Sequence, residues 1–224
     1  PLPVSALARD WYIDDGDITI SATENGQTVS QGNTTEADVA PVIKQRESST
    51  STDRVIKVIA EEDATANVTL GGGNIDASSR GNNTAGICTT GDGNVTIELD
   101  GNNSVKSAVY AAGLQKENGG NLTIKDGNTP AGRLEATGGI GGAGIGGGFS
   151  GRYGNVGKGS DITIEGGTVI ATGGSVTSDS GGGAAGIGGG SGYAPRDDKA
   201  GNGEHIYIKG DANVTAKGGK GAAD

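Results

Sequence analysis

The sequence predicts an all-β protein: a single-stranded, right-handed parallel β-helix of about five coils, each with three short strands, preceded by an N-terminal cap. Three observations lead to this fold class. Three short strand motifs recur along the chain in an unchanged order, and turns rich in Gly, Asn and Asp separate them. No segment shows helical periodicity over ten residues. The 46 glycines among 224 residues are then explained as turn residues of a repetitive fold.

The first sixty or so residues are expected to precede the regular repeats. Residues 1–8 resemble the tail of a secretory signal peptide, because Ala6-Leu7-Ala8 fits the A-x-A cleavage pattern. Residues 9–66 are predicted to form an N-terminal cap with an irregular segment. Strand candidates there are Asp17–Ser21 and Arg54–Ala60, and the polar stretch from about Gln31 to Asp53 has no periodicity. A solenoid needs such a cap because an open end exposes unpaired strand edges.

Residues 67–224 are predicted to be β-helix repeats, and the pattern is still in progress where the sequence ends. An A-G-I motif recurs at Ala85–Ile87, Ala112–Leu114, Ala143–Ile145 and Ala185–Ile187. An x-T-I motif occurs first at Val68–Leu70 and then after each A-G-I motif, at Val95–Ile97, Leu122–Ile124, Ile162–Ile164 and Ile206–Ile208. A V-x-A motif comes third, at Ile75–Ala77, Val105–Ser107, Leu134–Ala136, Val169–Ala171 and Val214–Ala216.

The spacing of these motifs predicts which side chains face inward. The x-T-I motif repeats after 27 residues twice, and then after 40 and 44 residues. An unchanged order with variable spacing indicates insertions in the turns, which a solenoid tolerates. In each motif the first and third residues are expected to face the interior, since side chains alternate along a strand. The middle residues would then form an outward column of Thr69, Thr96, Thr123, Thr163 and Tyr207.

The motif A-G-I-G-G-G, followed by the stretch Asp161–Gly174 (DITIEGGTVIATGG), resembles glycine-rich repeat proteins secreted by anaerobic Gram-positive bacteria. Those proteins are often labelled carbohydrate-binding-domain proteins. The resemblance covers roughly Asp10 to Gly219 and is specific for the repeat. It implies a surface-exposed right-handed β-helix with an adhesive or glycan-binding role, and it supplies no site motif.

The candidate ligand-binding residues lie in two insertions between the A-G-I and x-T-I motifs. The first two such spacings are 8 residues, whereas Ile145 to Ile162 spans 17 and Ile187 to Ile206 spans 19. Because adjacent coils carry them at the same corner, the two loops should lie side by side. They contain the candidates Phe149, Arg152, Tyr153, Tyr193, Arg196, Asp197 and Asp198.

The residue types in these loops suit sugars. Aromatic rings stack on the C–H faces of sugar rings, while Arg and Asp hydrogen-bond hydroxyl groups. The competing interpretation is that the rings fold back as loop anchors, which the general tendency of aromatic residues to be buried favours. Both interpretations stay open at the level of sequence.

Composition narrows the classes of function. The formal net charge of −10 argues against a nucleic-acid partner, and no apolar stretch is long enough to insert into a membrane. One Cys and one His exclude a zinc site built from these residues and a Cys–His nucleophile pair. No cofactor is predicted. Calcium is considered only for a remote alternative, a calcium-dependent polysaccharide lyase. Its carboxylates and bases would be Asp161, Asp197, Asp198, Arg152, Arg196 and Lys199.

The sequence therefore predicts a non-catalytic binding module, secreted or at the cell surface, with a polysaccharide or host-cell glycan as its partner. The alternative is a structural spacer within a larger surface protein. The lone Cys88 is expected to be a structural thiol, His205 to be solvated, and the acidic cluster Asp14–Asp17 to cap a turn.

Overall fold

The computed structural model describes residues 8–149, 157–176, 181–192 and 200–222. These residues form strands and two short 3₁₀ turns, Ile13–Asp15 and Ala77–Ser79. The strands in chain order are β1 Asp10–Tyr12, β2 Ile18–Thr23, β3 Gly26–Gln31, β4 Thr34–Ala37, β5 Val42–Lys44, β6 Ile56–Ala60, β7 Thr65–Leu70, β8 Gly73–Asp76, β9 Ile87–Thr90, β10 Asn94–Leu99, β11 Asn102–Lys106, β12 Leu114–Lys116, β13 Leu122–Lys125, β14 Arg133–Thr137, β15 Ile145–Gly146, β16 Ile162–Ile164, β17 Thr168–Thr172, β18 Ile187–Gly188, β19 Ile206–Ile208 and β20 Asn213–Lys217. The predicted all-β character is confirmed.

These strands form three sheets. Sheet I has the order β18-β15-β12-β9-β6-β2-β3-β4 and contains the A-G-I motifs. Sheet II has the order β1-β5-β7-β10-β13-β16-β19 and contains the x-T-I motifs, and sheet III has the order β20-β17-β14-β11-β8 and contains the V-x-A motifs. Each successive group of three strands, from β6–β8 to β18–β20, contributes one strand to sheet I, the next to sheet II and the third to sheet III. The neighbours that this produces pair in parallel, as a β-solenoid requires.

Equivalent aliphatic residues stack along each sheet. In sheet I, one column runs through Ile18, Ile56, Ile87, Leu114, Ile145 and Ile187. The five before Ile187 are at most 2% exposed, and the strands show the expected alternation, for example buried–exposed–buried in β6. Each strand therefore stacks an aliphatic side chain on the one at the same inward position of the strand before it. In this way a chain that is only 32% hydrophobic can bury a continuous core.

The register differs from the sequence alignment at two places. In sheet II, Val68 pairs with Ile97 rather than with Val95, so Asn67 rather than Thr69 precedes Thr96 in the outward column. In sheet III, Val105 pairs with Ala136. Both shifts are by two residues, which leaves the inward and outward faces unchanged. In sheet II the physical reason is that β10 presents three inward apolar residues, so its motif aligns equally well with two positions of its neighbour β7.

The shift in sheet III places Asn103 in the interior column of Leu134, Val169 and Val214. Asn103 is 6% exposed. Its Nδ2 donates to the carbonyl oxygens of Leu70 at 3.1 Å and Arg133 at 3.2 Å, and its Oδ1 accepts from the backbone N of Gly72 at 3.0 Å. The side chain therefore satisfies backbone groups in the corner between sheets II and III.

The N-terminal residues join the same sheets instead of forming a separate layer. Strand β2 pairs in parallel with β6, and the hairpin strands β3 and β4 extend sheet I in the antiparallel sense. The stretch 31–53, expected to be irregular, contains β4 and β5. Strand β4 has one apolar residue and β5 has only three residues in all, too few to show a period, so pairing with β3 and with β1 and β7 forms them.

The opposite end of the stack is open among the described residues. Strands β19 and β20 are the last of sheets II and III. Ile208 is 56% exposed and Tyr207 is 51% exposed, whereas Ile164, which pairs with Ile208, is fully buried. An inward-type residue is thus exposed where no further strand lies on it.

Candidate functional site

The described ends of the two insertions lie side by side at the corner between sheets I and II. The backbone N of Gly159 donates to the carbonyl of Asn202, and the N of Asp161 donates to that of Glu204, both at 2.9 Å. Strands β15 and β18 pair before the insertions, and β16 and β19 pair after them. The expectation that neighbouring periods carry adjacent insertions is confirmed for these segments.

Of the predicted ligand-binding residues, the structure describes Phe149. Its ring stacks on Tyr110 with centroids 4.9 Å apart and an interplanar angle of 24°, and its backbone N donates to the Tyr110 carbonyl at 2.8 Å. This is the contact expected of a loop anchor, although both side chains are only half-buried. Arg152, Tyr153, Tyr193, Arg196, Asp197 and Asp198 lie outside the described residues, so their part in binding stays a prediction.

A groove of about 860 Å³ opens between the insertions and strand β12. This volume is within the range of ligand-binding clefts, about 300–1,000 Å³. Its lining combines ammonium, carboxylate, amide and hydroxyl groups with bare backbone: Lys116, Glu117, Asn118, Gly119, Gly157, Lys158, Ser160, Asp161, Ala200, Gly201 and Asn202.

Lys116 is the unexpected member of this lining. In sheet I it pairs with Thr89, which pairs with Val58, so the lysine occupies an inward column. It is only 7% exposed, and its Nζ donates to the carbonyl oxygen of Asn118 at 2.7 Å. Burial lowers the pKa of the Lys116 ammonium below its ordinary value, and the charge of Asp161 acts in the opposite direction.

A buried amide holds the wall beside Lys116. The hydroxyl of Thr89 donates to Asn118 Oδ1 at 2.7 Å, and Asn118 Nδ2 donates to the carbonyls of Gly93 at 2.9 Å and Gly120 at 3.0 Å. Asn118 is 3% exposed. Because these bonds fix Asn118, its backbone carbonyl is held in place as the acceptor for Lys116.

Asp161 and His205 sit at equivalent positions in adjacent periods, each directly before a paired strand. His205 Nδ1 lies 2.9 Å from Asp161 Oδ1. Both residues have positive φ, 57° and 53°, a conformation that Asp and His tolerate better than most side chains. The sequence predicts that His205 is solvated and has no partner. In the structure its ring contacts Asp161, which lines the groove.

The outer face beside the groove carries Cys88, which pairs in register with Gln115. Burial, and secondarily the charge of Glu117, raises the pKa of the Cys88 thiol to about 12. A thiol with so high a pKa is protonated at neutral pH, as expected of a structural rather than a reactive cysteine.

The acidic cluster at Asp14–Asp17 is used in pairing within the N-terminal region. Asp15 forms two hydrogen bonds of 2.8 Å with the Arg46 guanidinium, and these lower the pKa of Asp15. The Asp14 carboxylate accepts a hydrogen bond from the backbone N of Arg46. The Asp17 carboxylate accepts one from the backbone N of Val55 and one from the Arg80 guanidinium. Asp14 also lines a second, wholly polar groove of about 620 Å³ with Asp53, Arg54 and Asp76.

Comparison with known proteins provides no relative for this arrangement: no protein-family model, curated protein or solved structure matches the chain. Within the described ranges, no group of three or more His, Cys, Asp and Glu side chains is placed to hold a metal ion. The same part of the chain contains no helix of the length and apolarity needed to cross a membrane.

Proposed function

We propose that the chain is a right-handed parallel β-helix of about five coils with an N-terminal cap, and that it is a secreted or cell-surface, non-catalytic module that binds glycans. The supporting observation is the groove between β12 and the two insertions. Its volume suits an oligosaccharide, and its Asn, Ser, Lys, Asp and Glu groups are those that hydrogen-bond sugar hydroxyls.

The fold supports this proposal by placing the groove on a rigid wall. Strand β12 is paired on both sides, with β9 and with β15, and the Asn118 network fixes the turn that follows it. Binding to such a preformed surface costs little conformational entropy. Insertions at one corner of a regular stack are also where repeat proteins commonly place binding residues.

A glycan array followed by calorimetry tests the proposal. The variants are Asp161→Asn and Asn202→Ala, which change groove groups, and Tyr153→Ala and Tyr193→Ala, which test the insertion aromatics. Asn102→Ala, an exposed side chain in sheet III, is the control. We expect at least one glycan whose affinity falls about tenfold in a groove variant, as losing one hydrogen bond to a charged group implies, and is unchanged in the control. A folded protein that binds no glycan at millimolar concentration would contradict the proposal.

Catalysis is tested separately. Incubation with acidic polysaccharides and calcium, followed by ultraviolet detection of unsaturated uronate products, would reveal lyase activity. We expect none, and product formation that depends on Lys116 or on the insertion residues would establish the remote alternative instead.

A structural spacer is the second candidate, favoured by a different observation. The inward-type residues Ile206, Ile208 and Val214 are incompletely covered in the last strands. Further polypeptide stacked on β19 and β20 would bury them in the same way that each earlier strand is buried.

A further inference from the structure

Among the described residues, the Lys116 ammonium has no charged group within ion-pair distance, although the charge of Asp161 acts on it from farther away. An ammonium carries three donors, and the one hydrogen bond that the structure gives Lys116 Nζ goes to the neutral carbonyl of Asn118. None of the ion pairs between described residues includes Lys116. The side chain is 7% exposed, and it forms part of the groove lining.

A buried, unpaired charge is costly, and proteins normally satisfy one with a counter-ion. The columns of sheet I show that this cost is avoidable here, because the residue two strands away at the same position is the apolar Val58. The Asn118 carbonyl and the more distant charge of Asp161 compensate the Lys116 ammonium only in part, and an anionic group that enters the groove would complete the compensation. The geometry therefore indicates an anionic ligand atom next to Lys116 Nζ.

The charges around the groove limit what this anion can be. Lys158 adds a second, exposed cation, while Glu117 and Asp161 add two carboxylates. The described part of the lining is thus nearly neutral, and the whole chain carries −10. Glycans with several charges on each sugar, such as heavily sulfated ones, are repelled most strongly by such a surface. A sugar residue with one carboxylate and several hydroxyls matches one buried ammonium among amide and carboxylate acceptors.

From these observations we propose that the groove binds a carboxylate-bearing sugar, a uronate residue of an acidic polysaccharide, with its carboxylate on Lys116 Nζ and its hydroxyls toward Asp161 and Asn202. This assignment rests on the proposed glycan-binding function and names the class of sugar. Lys116 supplies the charge-assisted hydrogen bond that separates an acidic sugar from its neutral counterpart.

Calorimetry with matched ligands tests the assignment on the full chain. The probes are an oligogalacturonate, the same oligosaccharide with its carboxyl groups methyl-esterified, and poly-glutamate as a carboxylate source without sugar. The variant is Lys116→Met, which keeps the side-chain length without the charge. The control is Lys106→Gln, because Lys106 is an exposed lysine of sheet III that pairs with Asp76. Circular dichroism verifies that each variant is folded.

We expect the acidic oligosaccharide to bind about thirtyfold or more tightly than its ester, the Lys116→Met protein to lose this preference, and the Lys106→Gln protein to keep it. If acid and ester bind equally, the uronate assignment is wrong and glycan binding stands. Binding of poly-glutamate as tight as that of the oligosaccharide would show a carboxylate site without sugar specificity. If neither the oligogalacturonate nor its ester binds the folded protein, the uronate assignment fails. The glycan array then tests whether the protein binds any glycan. The wild-type comparison of acid with ester remains decisive even if Lys116→Met does not fold.

Discussion

Single polar residues inside the stack show how this fold accommodates exceptions to its aliphatic columns. Asn103 and Lys116 both occupy inward positions, yet they differ in how they are satisfied. Asn103 uses both ends of its amide on backbone groups of a corner. Among the described residues, Lys116 has one neutral acceptor for a charged group with three donors. The first residue is therefore structural, and the second is the candidate for ligand binding.

Asn103→Ala is expected to destabilise the protein by about 2–4 kcal/mol, because it leaves the N–H of Gly72 and several buried carbonyls without a partner. Urea unfolding followed by circular dichroism measures the change. The adjacent Asn102→Ala is the matched control, since Asn102 is exposed, and should stay within about 0.5 kcal/mol of the wild type. Equal effects of the two substitutions would show that the buried amide bonds do not hold this corner.

The pH dependence of stability should reveal the burial of Lys116. Burial lowers its pKa below 10.5 in the folded state, so the unfolded chain binds more protons between the lowered pKa and 10.5. Stability contributed by this group therefore rises with pH across that window. We expect wild type to gain stability relative to Lys116→Met as pH rises toward 10.5, measured by urea unfolding at several pH values.

Cys88 changes stability in the opposite direction at alkaline pH, because its thiol keeps its proton up to about 12 when folded and loses it near 9.0 when unfolded. This contribution is common to both proteins and cancels in their difference. If the difference in unfolding free energy between wild type and Lys116→Met stays constant with pH, the Lys116 ammonium is solvated in the folded protein.

At the scale of elements, the order and facing of the strands were readable from sequence, but their register was not. Period-two alternation fixes which side chains face inward, so the first and third residues of the x-T-I motifs keep their predicted inward positions. The A-G-I motifs do not follow this rule throughout, because a Cβ at the middle residue Gly86 would meet the inward side chain of Val105. Val95, Ile97 and Leu99 are all inward and all fully buried, however, and they offer two equivalent alignments to β7. Turn geometry chooses between them, and the Gly- and Asn-rich turn sequences do not encode it uniquely.

The candidate site was predictable to the same degree. Motif spacing predicts the insertions, whereas it does not predict the groove wall, because the A-G-I motif ends at Leu114 and does not include Lys116. Counting by two from the inward Leu114 reaches Lys116, so a charged residue at an inward position was the available signal. The partner of His205 had a comparable signal, since Asp161 and His205 each directly precede an x-T-I motif and the two strands pair in the register of those motifs.

The turn before β15 is expected to tolerate no side chain at Gly142. A Cβ there would overlap the carbonyl oxygen of Ala111 in the preceding period, where successive turns stack closely. Gly142→Ala should cost about 3 kcal/mol or more, as overpacking and backbone shifts do at their upper range. Thermal and urea unfolding measure this cost.

Gly81→Ala is the matched control for Gly142→Ala. A Cβ at Gly81 meets no atom within 4 Å, so this change should be neutral or stabilise by up to about 1 kcal/mol through the unfolded state. Similar unfolding midpoints for the two variants would mean that the turns are not in contact between periods.

At the scale of the whole molecule, stability is set by position along the stack as well as by residue type. Ile97, Ile124, Ile164 and Ile208 form one column of sheet II. The first three are fully buried, while Ile208 is 56% exposed at the end of the described stack. In a quasi-one-dimensional fold each period is stabilised mainly by its neighbours, so the same substitution should cost different amounts along one column.

Ile124→Ala is therefore expected to cost about 2–5 kcal/mol, the usual cost of truncating a fully buried isoleucine, while Ile208→Ala should cost less than about 1 kcal/mol. Urea unfolding of the two variants measures the difference, and light scattering at each concentration reports the mass of the particle. Hydrogen exchange adds a local readout, because amides of β19 and β20 should exchange faster than those of β10 and β13. Equal costs for the two substitutions, together with a doubled mass, would show that a second copy covers Ile208 in solution. Equal costs at monomer mass would mean that another part of the chain packs on this end.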